Sequence, residues 1–177
     1  MIYINKNIIY AFGVILIVGV IFLISGQSNS NDQILVFNAT SPYIVPKTAI
    51  HWHPLLKITT NGKEQFIPEN IGVNIGNILD SYLGGGMSPL HTHSGANDYN
   101  SDGRVLHLEN SNPSKKPETL TLGYFFKVWG KTFNSTCILD KCNSANQTVK
   151  MFVNGKQNYD YQNYFLRQND KVEIKFE

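Results

Sequence analysis

The chain has 177 residues, with 15 Lys and Arg against 13 Asp and Glu and a formal charge of +2. Only Lys6 among those charges falls within residues 1–26. The remaining about 150 residues, enough for one ordinary domain, are therefore close to neutral, which excludes the electrostatic footprint of a nucleic-acid or anionic-lipid binder; two cysteines likewise exclude a disulfide-built miniprotein and an all-cysteine zinc site.

From Ile8 to Ile24 there is no charge, and the Tyr10 hydroxyl is the only polar side-chain group. A run of this length is at the short limit for spanning about 30 Å of hydrocarbon. It predicts an anchor over residues 1–26, and Lys6 on the leading flank predicts a single pass with the N-terminus cytoplasmic and the C-terminal part outside. The competing reading is a signal peptide cleaved near Ser25 and Gly26, giving a secreted protein; Ile24 fits a small-x-small cleavage site poorly. No cysteine follows the run to accept a lipid.

Residues 27–48 read as a Ser/Asn-rich tether followed by a first strand, and 49–177 as the extracytoplasmic domain. Turn signals then recur at Asn61-Gly62, Gly84-Gly85-Gly86, Asp102-Gly103, Asn154-Gly155 and Asn169-Asp170, and the short segments between them read as strands. Trp52, Leu56 and Ile58 share one parity before Asn61-Gly62, and Lys63 to Ile67 can return through a two-residue turn. Leu106 and Leu108 alternate with Val105, His107 and Glu109, and Val172, Ile174 and Phe176 alternate with Glu173 and Lys175, the pattern of half-buried strands. One segment breaks the period of two. Leu122, Phe125, Phe126 and Trp129 follow helical spacing, with Thr121 placed as N-cap and Gly130 where a left-handed C-terminal residue belongs, so a short amphipathic helix is expected with its aromatic stripe facing a core.

The expected fold class is α+β: a mixed β-sheet domain with one short helix, of the β-grasp kind. The stretches from Met151 to Lys156 and from Tyr164 to Ile174 are similar to the last strands of ubiquitin-like domains. A β-sandwich or cupin-type barrel with an accessory helix is the alternative. Cys137 and Cys142 enclose four residues and, outside the cytoplasm, are expected to form a disulfide. Sequons begin at Asn38, Asn134 and Asn146, as in a surface glycoprotein, although asparagine is abundant throughout the chain.

All five histidines lie in three places: His51-Trp52-His53, His91-Thr92-His93 and His107-Leu108-Glu109. Random placement gives two separate His-x-His pairs in about one sequence in a hundred or fewer, counted on the period-two template. In a strand, residues i and i+2 project from the same face, so each pair presents two imidazoles to one point. Trp52, Leu106 and Leu108 continue the opposite, core-facing parity. Pro54 places the first pair at a strand start, bulge or edge. Neutral imidazole suits copper or zinc better than calcium or magnesium. The expected metal ligands are His51, His53, His91, His93, His107 and Glu109, the last as ligand or as a group orienting a histidine. Met87 reads as a loop residue rather than a thioether ligand, and Asp98 and Asp102 as a solvated turn. Histidines that bond one another without metal, and a pH sensor, are the competing readings.

These residues also carry a resemblance. His51 to Ile58 follow His-x-His-x-x-Leu-x-Ile, with Asn61-Gly62-Lys63 and Ile67-Pro68-Glu69-Asn70-Ile71-Gly72 after it. His91-Thr92-His93, the glycine-led Gly103 to Glu109, and Leu122 to Gly130 as Leu-Gly-x-Phe-Phe-x-x-Trp-Gly complete the set. Over most of residues 50–177 the chain resembles a family of uncharacterised secreted or membrane-anchored prokaryotic proteins. That pattern has an Asp after the second His-Thr-His and a shorter connection to the third cluster. This chain has Ser94 there and the longer Gly95 to Gly103, so no ligand role carries over to position 94. The resemblance implies no established activity.

Together the residues point to a membrane-anchored extracytoplasmic domain binding copper or zinc, for metal handling or as an accessory subunit of an envelope complex. A metal-dependent hydrolase or cupin-like oxygenase, with Glu109 as general base, and a metal-free interaction module are the alternatives. Against an enzyme, there is no His-Glu-x-x-His helix, nucleophile signature or phosphate-cradling loop.

Overall fold

Six-residue strands at Leu55–Thr60 and Lys171–Phe176 place apolar side chains on alternate positions, and each buries one face. The computed structural model describes residues 33–36, 43–73 and 86–177, all within one unit, Gln33–Glu177. In chain order the strands are β1 (Gln33–Val36), β2 (Tyr43–Pro46), β3 (Ile50–Trp52), β4 (Leu55–Thr60), β5 (Lys63–Glu64), β6 (Leu90–His91), β7 (Tyr99–Asn100), β8 (Gly103–Val105) and β9 (His107–Asn110). The helix α1 (Leu122–Trp129) follows, then β10 (Cys137–Ile138), β11 (Lys141–Cys142), β12 (Val149–Val153), β13 (Lys156–Asn158) and β14 (Lys171–Phe176). The expected anchor, the tether and the sequon at Asn38 lie outside the described residues. Among the described residues no helix is long and apolar enough to cross a membrane.

A seven-stranded sheet runs in the order β13-β12-β14-β4-β8-β7, with β5 also on β4. β14 and β4 are parallel, and the other pairings are antiparallel. With one α-helix among the described residues, this is the expected mixed α+β arrangement. Leu56 and Ile58 of β4, Met151 of β12, and Val172, Ile174 and Phe176 of β14 are buried, as their parity requires. Asn61 and Gly62 both take positive φ (51° and 74°), as do Asn154 and Gly155 (51° and 79°), the backbone of two-residue hairpin turns that match strand twist.

Helix α1 forms where expected. The Thr121 side chain accepts from the Tyr124 backbone N–H at 3.2 Å, and Gly130 closes the helix at φ 68°. Leu122, Phe125 and Phe126 are fully buried, so the aromatic stripe is core. Thr121→Ala is expected to lower stability by about 1 kcal/mol, the ordinary value of an N-cap, measured as a shift in urea midpoint at unchanged slope. Cys137 and Cys142 form the expected disulfide across the facing positions of the β10–β11 ribbon. Asn146 is exposed, whereas Asn134 is half-buried and its Oδ1 accepts from the backbone N–H groups of Thr136 and Cys137 at 2.8 Å.

Two of the expected strands are broken. Trp52 lies on β3 and Leu56 on β4, with His53 and Pro54 between them; Leu106 separates β8 from β9 in the same way. The breaks face each other, since the Leu106 N–H donates to the Pro54 carbonyl at 2.8 Å. On one side of them β4 and β8 pair in the large sheet, and on the other β3 and β9 pair in a second, three-stranded sheet, β3-β9-β6. Proline supplies no N–H for a ladder, which accounts for the break at position 54.

Candidate metal centre

The three-stranded sheet carries the histidines. Its register sets His51 opposite Glu109 and His91 opposite His107, with Trp52, Leu108 and Leu90 at the alternate positions. Facing residues of an antiparallel pair share a face, so His51, Glu109, His107 and His91 project together while Leu90 and Leu108 are buried behind them. His53 and His93 are not in strands, contrary to the expectation that every histidine is strand-borne. Each lies one or two residues past a strand end and turns toward the same point. The ring centroids of His53, His91 and His93 are 4.9, 5.6 and 4.4 Å from that of His107, which makes His107 the centre of the cluster.

Ligand-capable atoms fall into two sets, each mutually within 4.8 Å: His91, His93, His107 and Glu109, and His51, His53 and His107. All six residues expected as metal ligands are thus brought to one place. His91 Nδ1–H donates to the Ser88 carbonyl at 2.8 Å, which fixes the tautomer and leaves the Nε2 lone pair to accept a hydrogen bond from His93 Nε2–H at 3.0 Å. Two nitrogens bound to one ion at about 2.0–2.1 Å are about 2.9–3.4 Å apart for angles from square to tetrahedral. The pair is already at that separation. A backbone carbonyl on the second ring nitrogen is the usual means of orienting a metal-binding imidazole.

Glu109 Oε1 lies 3.1 Å from His51 Nε2 and 3.9 Å from His107 Nδ1, so the carboxylate touches both sets. His107 Nε2 is buried with no hydrogen-bond partner, and Asp98 Oδ2 is 3.5 Å away. Asp98, at a bend, thus borders the cluster without belonging to either ligand set. Its placement follows from the β7–β8 register, Tyr99 opposite Arg104, which continues to Asp98 opposite Val105, where the Val105 N–H donates to the Asp98 carbonyl at 2.8 Å. The Asp102-Gly103 turn carried that signal. Asp102 itself stays outside, paired with Lys171 Nζ at 2.7 Å. Met87 bridges to Val73 and belongs to neither set.

Burial pushes the His91 and His107 rings down to about 4, helped in both by the charge of neighbouring His93. Both are therefore neutral near pH 7, the form that binds metal. In the metal-free protein the unfolded chain protonates these rings first as pH falls, so their contribution to stability is complete above about pH 6.5 and is lost toward about pH 4. The expected loss is on the order of 3 kcal/mol for the linked pair, read from urea midpoints of chelator-treated protein. A flat profile between those pH values would refute it.

Compared with protein-family models, with curated proteins and with solved structures, the chain shows no match.

Proposed function

We propose that this is a membrane-anchored extracytoplasmic protein whose outer domain binds a transition-metal ion through the His51, His53, His91, His93, His107 and Glu109 cluster, for metal handling. The observation that carries the reading is the 3.0 Å approach of the His91 and His93 ring nitrogens beside a buried nitrogen of His107 that has no hydrogen bond. Unpartnered buried polar atoms are costly without a partner, and an ion supplies one. A mainly imidazole donor set favours zinc or copper over hard cations. Catalysis fits less well, because Glu109, the general base it requires, is held among the ligand atoms and against His51.

The apolar run from Ile8 to Ile24 supports the anchor and the outside location, with secretion after cleavage as the other form. The motifs from His51 to Gly130 support kinship with the anchored and secreted family that the sequence resembles, and an accessory role in an envelope complex is compatible with it. The parallel pairing of β14 with β4, flanked by β12 and by the β4–β5 hairpin, supports the β-grasp reading over a sandwich or cupin barrel. Elemental analysis of the gently purified full-length protein tests the function: near-stoichiometric zinc or copper is expected. Metal-free protein that takes up neither ion on addition would sink the reading.

A further inference from the structure

Five imidazoles and a carboxylate exceed the four positions of a tetrahedral zinc ion, and they are not equivalent. The two ligand sets share His107. One ends in the open, with the His51 side chain 62 % exposed; the other ends in His91, which is 0 % exposed. A neutral imidazole has one lone pair, its other nitrogen carrying the proton. His107 therefore serves one ion at a time, and the two sets are alternative positions for a single ion rather than two separate sites.

We propose that the outer set, His51, His53 and His107, which ends in the exposed His51, receives the ion from solvent and passes it to the inner set, His91, His93, His107 and Glu109, which ends in the buried His91, by stepwise exchange of ligands around His107. The inference rests on the metal-binding reading above. Ligand exchange is fastest where an incoming group is in place before the outgoing one leaves, and the geometry provides this twice. His53 and His93 approach His107 from 4.9 and 4.4 Å between ring centroids. Glu109 Oε1, a member of the inner set, already contacts His51 Nε2 at 3.1 Å. An ion moving inward exchanges His51 and His53 for His91 and His93 and gains a carboxylate, so the inner position is the tighter one. The Asp98 carboxylate 3.5 Å from His107 Nε2 adds a negative charge beside the shared ligand.

The test uses the full-length chain and Co²⁺, whose ligand-field absorption reports binding in place of zinc. His51→Ala with His53→Ala is expected to retain one ion per chain and to lose less affinity than the paired His91→Ala, His93→Ala variant, while loading slows by about tenfold or more. The single His51→Asn variant should show an intermediate rate, and serves if the double variant folds poorly. Loading at the unaltered rate, a loss of affinity matching that of His91 and His93 variants, or two ions held at once by the unaltered chain would each overturn the proposal. Absence of any uptake by the unaltered chain would instead overturn the metal-binding reading, and this inference with it.

Discussion

Replacing His91 and His93 together by alanine is expected, on the proposed function, to weaken metal binding by more than about a hundredfold. Loss of a group that only orients a ligand costs about 10–100-fold, and this change removes two direct donors, including the one whose tautomer Ser88 fixes. The consequence extends to stability. An ion bound to the folded chain alone, at a free concentration about a thousand times its Kd, adds about 4 kcal/mol. Chelator should therefore lower the melting temperature of the unaltered protein and leave that of the double variant unchanged. Titration calorimetry and a melting series with and without chelator read both effects. An affinity within threefold of the unaltered protein would remove His91 and His93 from the site.

A comparable effect is expected at a residue that offers no ligand. Gly103 opens β8 with φ 114°, outside the range that L side chains tolerate. A Cβ there would lie 2.3 Å from the Leu56 carbonyl oxygen of β4. Gly103→Ala must either twist the backbone, at about 1–3 kcal/mol, or part the β4–β8 pairing, and the two costs together predict a loss on the order of 4 kcal/mol or more. Because β8 leads through Leu106 into His107, the substitution should also impair metal binding in whatever fraction folds. Urea denaturation of the variant checks the first effect; a midpoint unchanged from the unaltered protein would show that the sheet yields there at no cost.

Local chemistry made much of this legible beforehand. Thr121 and Gly130 bracket the helix because their side-chain oxygen and left-handed backbone act within one turn. The two Asn-Gly turns declare themselves because only a few residues accept their backbone. The alternation of Val172, Ile174 and Phe176 is a property of one strand. The histidine cluster was legible to the extent that parity is local: each His-x-His pair points one way. What parity does not carry is which strands meet. The pairing of β9 with both β3 and β6 joins residues about 15 to 60 positions apart and depends on register across the whole fold, and with it come the central place of His107 and the nearness of Asp98. Reading Trp52 with Leu56, and Leu106 with Leu108, as continuous strands failed for a related reason. Each segment changes partner halfway, and the alternation of side chains does not record a change of partner.

On the proposed function, the facing breaks at Pro54 and Leu106 would give a bound ion a mechanical role. The small sheet hangs on the large one by these two splices, and its third strand, β6, belongs to neither splice. An ion held by His91, His93, His107 and Glu109 would tie two stretches of chain remote in sequence, much as a covalent cross-link would, and so remove freedom from the open chain more than it adds contact to the closed one. Metal release would then act as an unlatching: β6 and its neighbours would open locally while the large sheet stays shut, and the protein's metal status would be written into the mobility of one face.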